Sequence, residues 1–323
     1  MRRPAEKSIS TEGAAANVRS VNPLGKISLY VLAIVLIAAV LSPPAYWALH
    51  DLNPFLSEVP FHRFFNRVAL GAALVLLVPT LLWLNVRSRA ELGLVRNPHA
   101  RRDLLAGLGL ALLPLVALAA VYFGADIYRV KKEIPWGNLL KIAGTLAVVP
   151  ILEECLFRGV LLGLAVRHLG RWSGIVVVSL AFAVVHFIRQ HGEVTDVTWA
   201  SGFQLLVTAF PAADAMPETL AGGLNLFVIG VILAVAALRT RSLWLPIGLH
   251  AGWILGQQTI NLVGKYRVKP PDAFLPWVGP NVVSGMVPTG VVPLVALLVT
   301  GLLVWWYLAR AWRPAPESAP AAV

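Results

Sequence analysis

Three short runs hold the residues of this chain that could do acid–base chemistry from inside an apolar surrounding. They are Pro150-Ile151-Leu152-Glu153-Glu154-Cys155-Leu156-Phe157-Arg158-Gly159, Phe182-Ala183-Val184-Val185-His186 and Gly248-Leu249-His250-Ala251-Gly252-Trp253. A carboxylate can serve as a general base toward water, and an imidazole can carry the proton or steady developing negative charge. Glu154 and Arg158 stand four residues apart, so on a helix they share a face and can pair. Glu153 points about 100° away from that face and gains no such partner. A charged side chain within a membrane span costs roughly 2.5–3.5 kcal/mol on insertion scales, so an unpaired carboxylate there asks for a function. The same groups, Glu153, Glu154, His186 and His250, are also an N/O donor set of the kind that holds a catalytic zinc, although no His-Glu-x-x-His pair lies on one helix.

These residues have to be carried by membrane helices. The chain of 323 residues is 58% hydrophobic and 13% charged, with a mean hydropathy of +0.73. A soluble body of that length could not cover so much apolar surface. A lone Cys155 excludes a disulfide scaffold, and Gly and Pro follow no period. The reading is an all-α, polytopic helical bundle with about eight spans, near 28–49, 68–84, 104–125, 139–166, 173–188, 220–238, 243–262 and 287–309. The fourth span holds Glu153, the fifth His186 and the seventh His250. Counted from the basic residues at their ends, Glu153 and His186 lie roughly 21 Å deep and His250 roughly 13 Å, so the three levels nearly coincide. Pro150 is expected to break the ladder one turn before Glu153. Gly248, Gly252 and Gly256 form a small-residue seam for a neighbouring helix, roughly opposite the His250 face.

Charge sets the expected orientation. With the N-terminus inside, Lys and Arg concentrate in the inner segments (Arg2, Arg3, Arg87, Arg89, Arg101, Arg102, Arg167, Arg171, Arg239, Arg241, Arg310, Arg313) more than in the outer loops. Both termini are then cytoplasmic, and the net charge of +11 reflects topology and anionic lipid rather than nucleic acid. Residues 1–26 read as a basic cytoplasmic tail, 27–137 as N-terminal membrane helices and 138–262 as a catalytic core. Residues 263–310 read as an outer loop with the last helix, and 311–323 as a disordered tail. The connection 189–219 carries Glu193, Asp196, Asp214 and Glu218; its apolar middle, 197–210, is short for a span and suits a surface or re-entrant helix.

Glu153-Glu154-x-x-x-Arg158, Phe182-x-x-x-His186 and the His250 helix together resemble the CPBP family of intramembrane proteases, which includes the type II CAAX prenyl endopeptidases. The resemblance implies peptide hydrolysis within the membrane, with Glu153 and His186 activating a water and His250 stabilising the oxyanion beside an Asn four residues later. Here that position is Ile254, which has no hydrogen bond to donate. Gln257, back on nearly the same face, is the first candidate substitute, with Gln258 and Asn225 behind it. Glu154 and Arg158 support the site. The resemblance favours glutamate chemistry without a cofactor, with zinc on Glu153, His186 and His250 as the alternative. The implied substrate is a membrane-anchored peptide or protein, and the inner-membrane placement expected is that of a bacterium. The competing functions are a bacteriocin-immunity or scaffolding protein without activity and, less well supported, a proton-coupled transporter.

Overall fold

A computed structural model describes residues 23–312, apart from 53, 93, 188–193, 195, 209–215, 267–280, 284–286 and 289. Residues 1–22 of the basic tail expected at 1–26, residues 313–323 of the disordered tail expected at 311–323, and Glu193 and Asp214 of the long connection lie outside the described residues; Pro23–Lys26 and Ala311 are helical. Helix dominates. In chain order α1 is Pro23–Leu49, α2 the single turn Pro54–Ser57, α3 Phe61–Trp83 and α4 Ala100–Gly124. Asn138–Glu154 is α5, which continues through seven residues of π-helix, Cys155–Leu161, into α6, Leu162–Leu169. Arg171–Val185 is α7, Ser201–Val207 α8, Met216–Thr240 α9, Trp244–Val263 α10 and Val291–Ala311 α11. Two small ribbons complete the set. Strand β1 (Tyr128–Val130) pairs antiparallel with β2 (Gly264–Tyr266), and β3 (Asn281–Val283) with β4 (Val287–Pro288).

The protein is an all-α membrane bundle. Five of the described helices are long and apolar enough to cross a bilayer: 25–52, 61–83, 100–124, 219–240 and 291–311. The other three expected spans are helical but do not meet that measure. The fourth is broken by the π segment, and α10 carries Gln257, Gln258 and Asn261 in its second half. Helix α7 has 15 residues, about 22 Å, against a hydrocarbon core of about 30 Å. The sequence expectation for α3 began at 68, but the helix starts at Phe61. Arg63 and Arg67, which read as loop, occupy its first turns because Phe61, Phe64 and Phe65 are buried there.

The seam on α10 is closed by α4. A Cβ on Gly252 would stand 2.7 Å from Leu108 O, and one on Gly256 would stand 2.7 Å from Leu115 Cδ1. Gly107 answers from α4: its Cβ would meet Leu249 N at 2.7 Å. These two helices run backbone to backbone, which is the approach that small residues permit in lipid. Around them α7, α9, α11 and the π segment supply the main apolar core, centred on Leu233, Leu245, Leu249 and Phe182. At one end the carboxylate of Asp103, fully buried, gathers Asn97, Arg102, Tyr307 and Trp312, so the starts of α4 and the end of α11 are tied together.

A second, smaller core joins α1, α3 and α8 through Ala38, Ala39, Phe61, Phe65 and Leu205. Helix α8 has seven residues, about 10 Å, and does not cross a membrane. It lies against α1, where Gly202 faces the carbonyl of Ala39 too closely for any side chain, and Trp47 Nε1 donates to Val197 O at 3.3 Å.

Candidate active site

Helix α5 runs through Pro150 without interruption. Pro150 has no N–H to give the ladder, but the helix is not ended there. The irregularity lies just after it, in the π segment, where one extra residue per turn shifts the phase of the chain after Glu154. That stretch carries Arg158 and turns its guanidinium back onto Glu154. Arg158 Nη1 donates to Glu154 Oε1 at 2.8 Å, and both side chains are fully buried. The guanidinium also lies over the ring of Phe182, 4.3 Å from its centroid.

Glu154 has a second partner that helical spacing could not reveal. His250 Nδ1 stands 2.8 Å from the same oxygen, Oε1, across from α10. Because Oε1 already receives Arg158, it is a carboxylate oxygen, and the histidine nitrogen is the donor. His186 is fixed in the same sense by a different group. It caps the C-terminal end of α7, and its Nδ1 donates to the carbonyl of Phe182 at 2.6 Å. That carbonyl belongs to the last turn, whose acceptors have no intrahelical donor. The Phe-x-x-x-His spacing thus supplies its own anchor, and the Phe182 ring lies tilted against the imidazole, centroids 4.4 Å apart.

With both Nδ1 atoms engaged, both Nε2 atoms face one place. Glu153 Oε2 is 3.7 Å from His186 Nε2 and 3.9 Å from His250 Nε2. That oxygen is buried and has no hydrogen-bond partner, although the Glu153 side chain as a whole is 28% exposed. Glu153, His186 and His250, expected from their depth to share a level, are brought within 4 Å of a common point. Three acceptor atoms converging there repel one another unless something with a positive end lies between them. A water with its two O–H bonds or an added proton would each satisfy them. Among the described residues no three His, Cys, Asp or Glu side chains are grouped in a way that could hold a metal ion.

The structure does not bring Gln257 to this point. It lies seven residues beyond His250 on α10, about 10 Å along the axis. Its buried Nε2 has no hydrogen-bond partner, and the residue lines a small cavity with Leu115, Leu118, Trp253 and Thr300 on the side of α4 and α11. Ile254 is buried in α10, Asn225 is buried in α9, and Gln258 lines a separate cavity between α5 and α10. The sequence reading missed the part of Phe182, as both carbonyl anchor and ring platform, and the bond from His250 to Glu154. The first was open to discovery in the four-residue spacing; the second joins residues 96 apart and had no local signal.

The motif region also matches a known family. Residues 135–255 match the family model described as type II CAAX prenyl endopeptidase Rce1-like. This segment is similar to an Rce1-like domain. It begins at the loop before α5 and ends on α10 just after Ile254, so all three motifs fall inside it. The family is the one the sequence resembles, and together with five helices apolar enough to cross a bilayer the match supports a membrane-embedded peptidase. No curated protein and no solved structure matches the chain.

Proposed function

We propose that this protein is an intramembrane endopeptidase that hydrolyses a peptide bond of a membrane-associated protein or peptide, in the manner of CAAX processing, through a water activated by Glu153 and His186. The observation that carries the reading is the convergence of Glu153 Oε2 and the two Nε2 atoms on one buried point. A water held there gives one proton to Glu153 as its oxygen attacks the carbonyl carbon. His186, fixed by the Phe182 carbonyl, orients the water by accepting its second O–H. His250 takes the oxyanion: Nδ1–H is held by Glu154, and in this scheme Nε2–H donates to the developing charge. Collapse of the tetrahedral intermediate breaks the C–N bond and returns the proton from Glu153 to the leaving amine. No cofactor takes part in this scheme. Ile254 adds no donor to the oxyanion, so the electrostatic stabilisation rests on His250 alone among the motif residues.

The substrate is read as a membrane-anchored segment because Glu153 is partly exposed and apolar residues on the helices that carry the site are exposed as well. Ile151 and Val148 on α5 and Val184 and Val185 on α7 are among them. The placement we infer is the inner membrane of a bacterium with both termini cytoplasmic. The test is cleavage of a membrane-tethered peptide library by the purified protein, beside Glu153→Gln and a chelator. Cleavage that survives chelation and vanishes in the variant supports the proposal. Loss on chelation with recovery on adding zinc replaces it with a metalloprotease. Absence of cleavage by folded protein over the whole library favours an immunity or scaffolding role, the reading to which Ile254 lends weight.

A further inference from the structure

A second polar site lies on the same two helices as Glu153 and His250, at their other end. Between α5 and α10 there is a cavity of about 360 Å³, lined by Lys131, Asn138, Lys141, Thr145, Gln258 and Asn261 among others. No carboxylate lines it. Lys131 Nζ donates to the carbonyl of Asn261 at 2.6 Å, which fixes one ammonium at the wall. Lys141 has no ion-pair partner among the described residues. Asn138, the first residue of α5, brings its side-chain amide to the same lining. Two ammonium groups and the side-chain amides of Asn138 and Gln258 make this a lining of hydrogen-bond donors suited to an anion.

The surroundings point to the kind of anion. Trp136 and Leu139 are exposed beside the cavity, and Leu140 is 83% exposed. A Trp next to lysines at the start of an apolar helix marks the level of lipid headgroups. From Leu140 an apolar, uncovered stripe continues down α5 through Val148 and Ile151. Lys141 is twelve residues from Glu153, about 18 Å along the helix, so a peptide terminus held there would need roughly five extended residues to reach the active centre. A lipid needs no such reach. We propose that this cavity binds the phosphate headgroup of an anionic phospholipid, with its acyl chains along the exposed face of α5. Basic pockets between membrane helices serve this purpose elsewhere. The occupant would bridge α5 to α10 and so brace the two helices that present Glu153 and His250 to each other.

The full-length protein, reconstituted in phosphatidylcholine nanodiscs containing a minor fraction of phosphatidylglycerol, tests the proposal by native mass spectrometry of retained lipid. The wild type is expected to retain phosphatidylglycerol over phosphatidylcholine by at least fivefold. Lys141→Gln should bring that ratio near one, and Lys141→Arg should restore it, with Lys132→Gln as an unaffected control. Equal retention by wild type and Lys141→Gln overturns the site. Displacement of the lipid by inorganic phosphate shows a site for the free ion rather than for lipid. Displacement by a peptide with a free C-terminal carboxylate, but not by its amide, makes the cavity a substrate subsite and likewise overturns it. Because the readout is lipid retention, failure of proteolysis leaves the result intact.

Discussion

At the level of single residues, Glu153 and Glu154 are neighbours with opposite duties. Glu154 Oε1 receives both Arg158 and His250 inside the protein, whereas Glu153 Oε2 receives nothing. Replacing the unbonded group should therefore spare the fold. Glu153→Gln is expected to lower peptide hydrolysis by roughly 10²–10⁴-fold, the usual contribution of a positioned base, while the thermal unfolding midpoint in detergent stays unchanged. Glu154→Gln acts the other way. It leaves the Arg158 charge buried without its counterion, which costs about 3–5 kcal/mol when one partner of such a pair is removed. A large drop in the unfolding midpoint for this variant, against none for Glu153→Gln, separates the two roles; equal midpoints would contradict them. His186→Ala should lose activity with little loss of stability, since its hydrogen bond among the described residues is to a helix-end carbonyl.

Helices set the distances between these residues. The π segment lets a charged pair and a glutamate on different faces emerge from one continuous helix. The glycine contacts between α4 and α10 hold His250 at its depth. Gly252→Leu would push a side chain into Leu108 O and Ala111 Cβ. Overpacking of this kind typically costs about 1–3 kcal/mol, so the variant should show a lower unfolding midpoint and reduced activity together. The Asp103 cluster does the same work at the far end. Asp103→Ala removes the acceptor for Asn97, Arg102, Tyr307 and Trp312 at once, and each buried donor left unpaired costs about 1–3 kcal/mol. Its expected signature is destabilisation without a change in cleavage specificity, measured on the folded fraction.

Over the whole molecule, the helices form two packed groups: the bundle around α4, α9, α10 and α11, and the smaller set of α1, α3 and α8. Arg102, Arg239, Arg241 and Arg310 collect at one end, and Lys131, Lys141 and Lys265 at the other. Helix α8 is too short to cross a bilayer, and the placement proposed above has both termini cytoplasmic. Cysteines introduced in the two tails of a Cys155→Ser background should thus react with a membrane-impermeant maleimide from the same side only. Labelling of the two tails from opposite sides would rule out that topology.

Composition and spacing alone established that this is a helical membrane protein. They also singled out Glu153, His186 and His250 and drew the likeness to the CAAX proteases. Those features are legible because lipid penalises every charge, so the few that persist stand out, and because i, i+4 spacing fixes a helix face. Helix ends were less legible: polar residues such as Arg63 and Arg67 are admitted into a helix when its other face is buried. The rest required tertiary contact. Which nitrogen of each histidine carries its proton is decided by an acceptor on another turn or another helix. The same holds for Gln257, whose place on the His250 face says nothing of depth. Two turns along the axis take it to a different cavity, because a helix that repeats its direction still advances 1.5 Å with every residue.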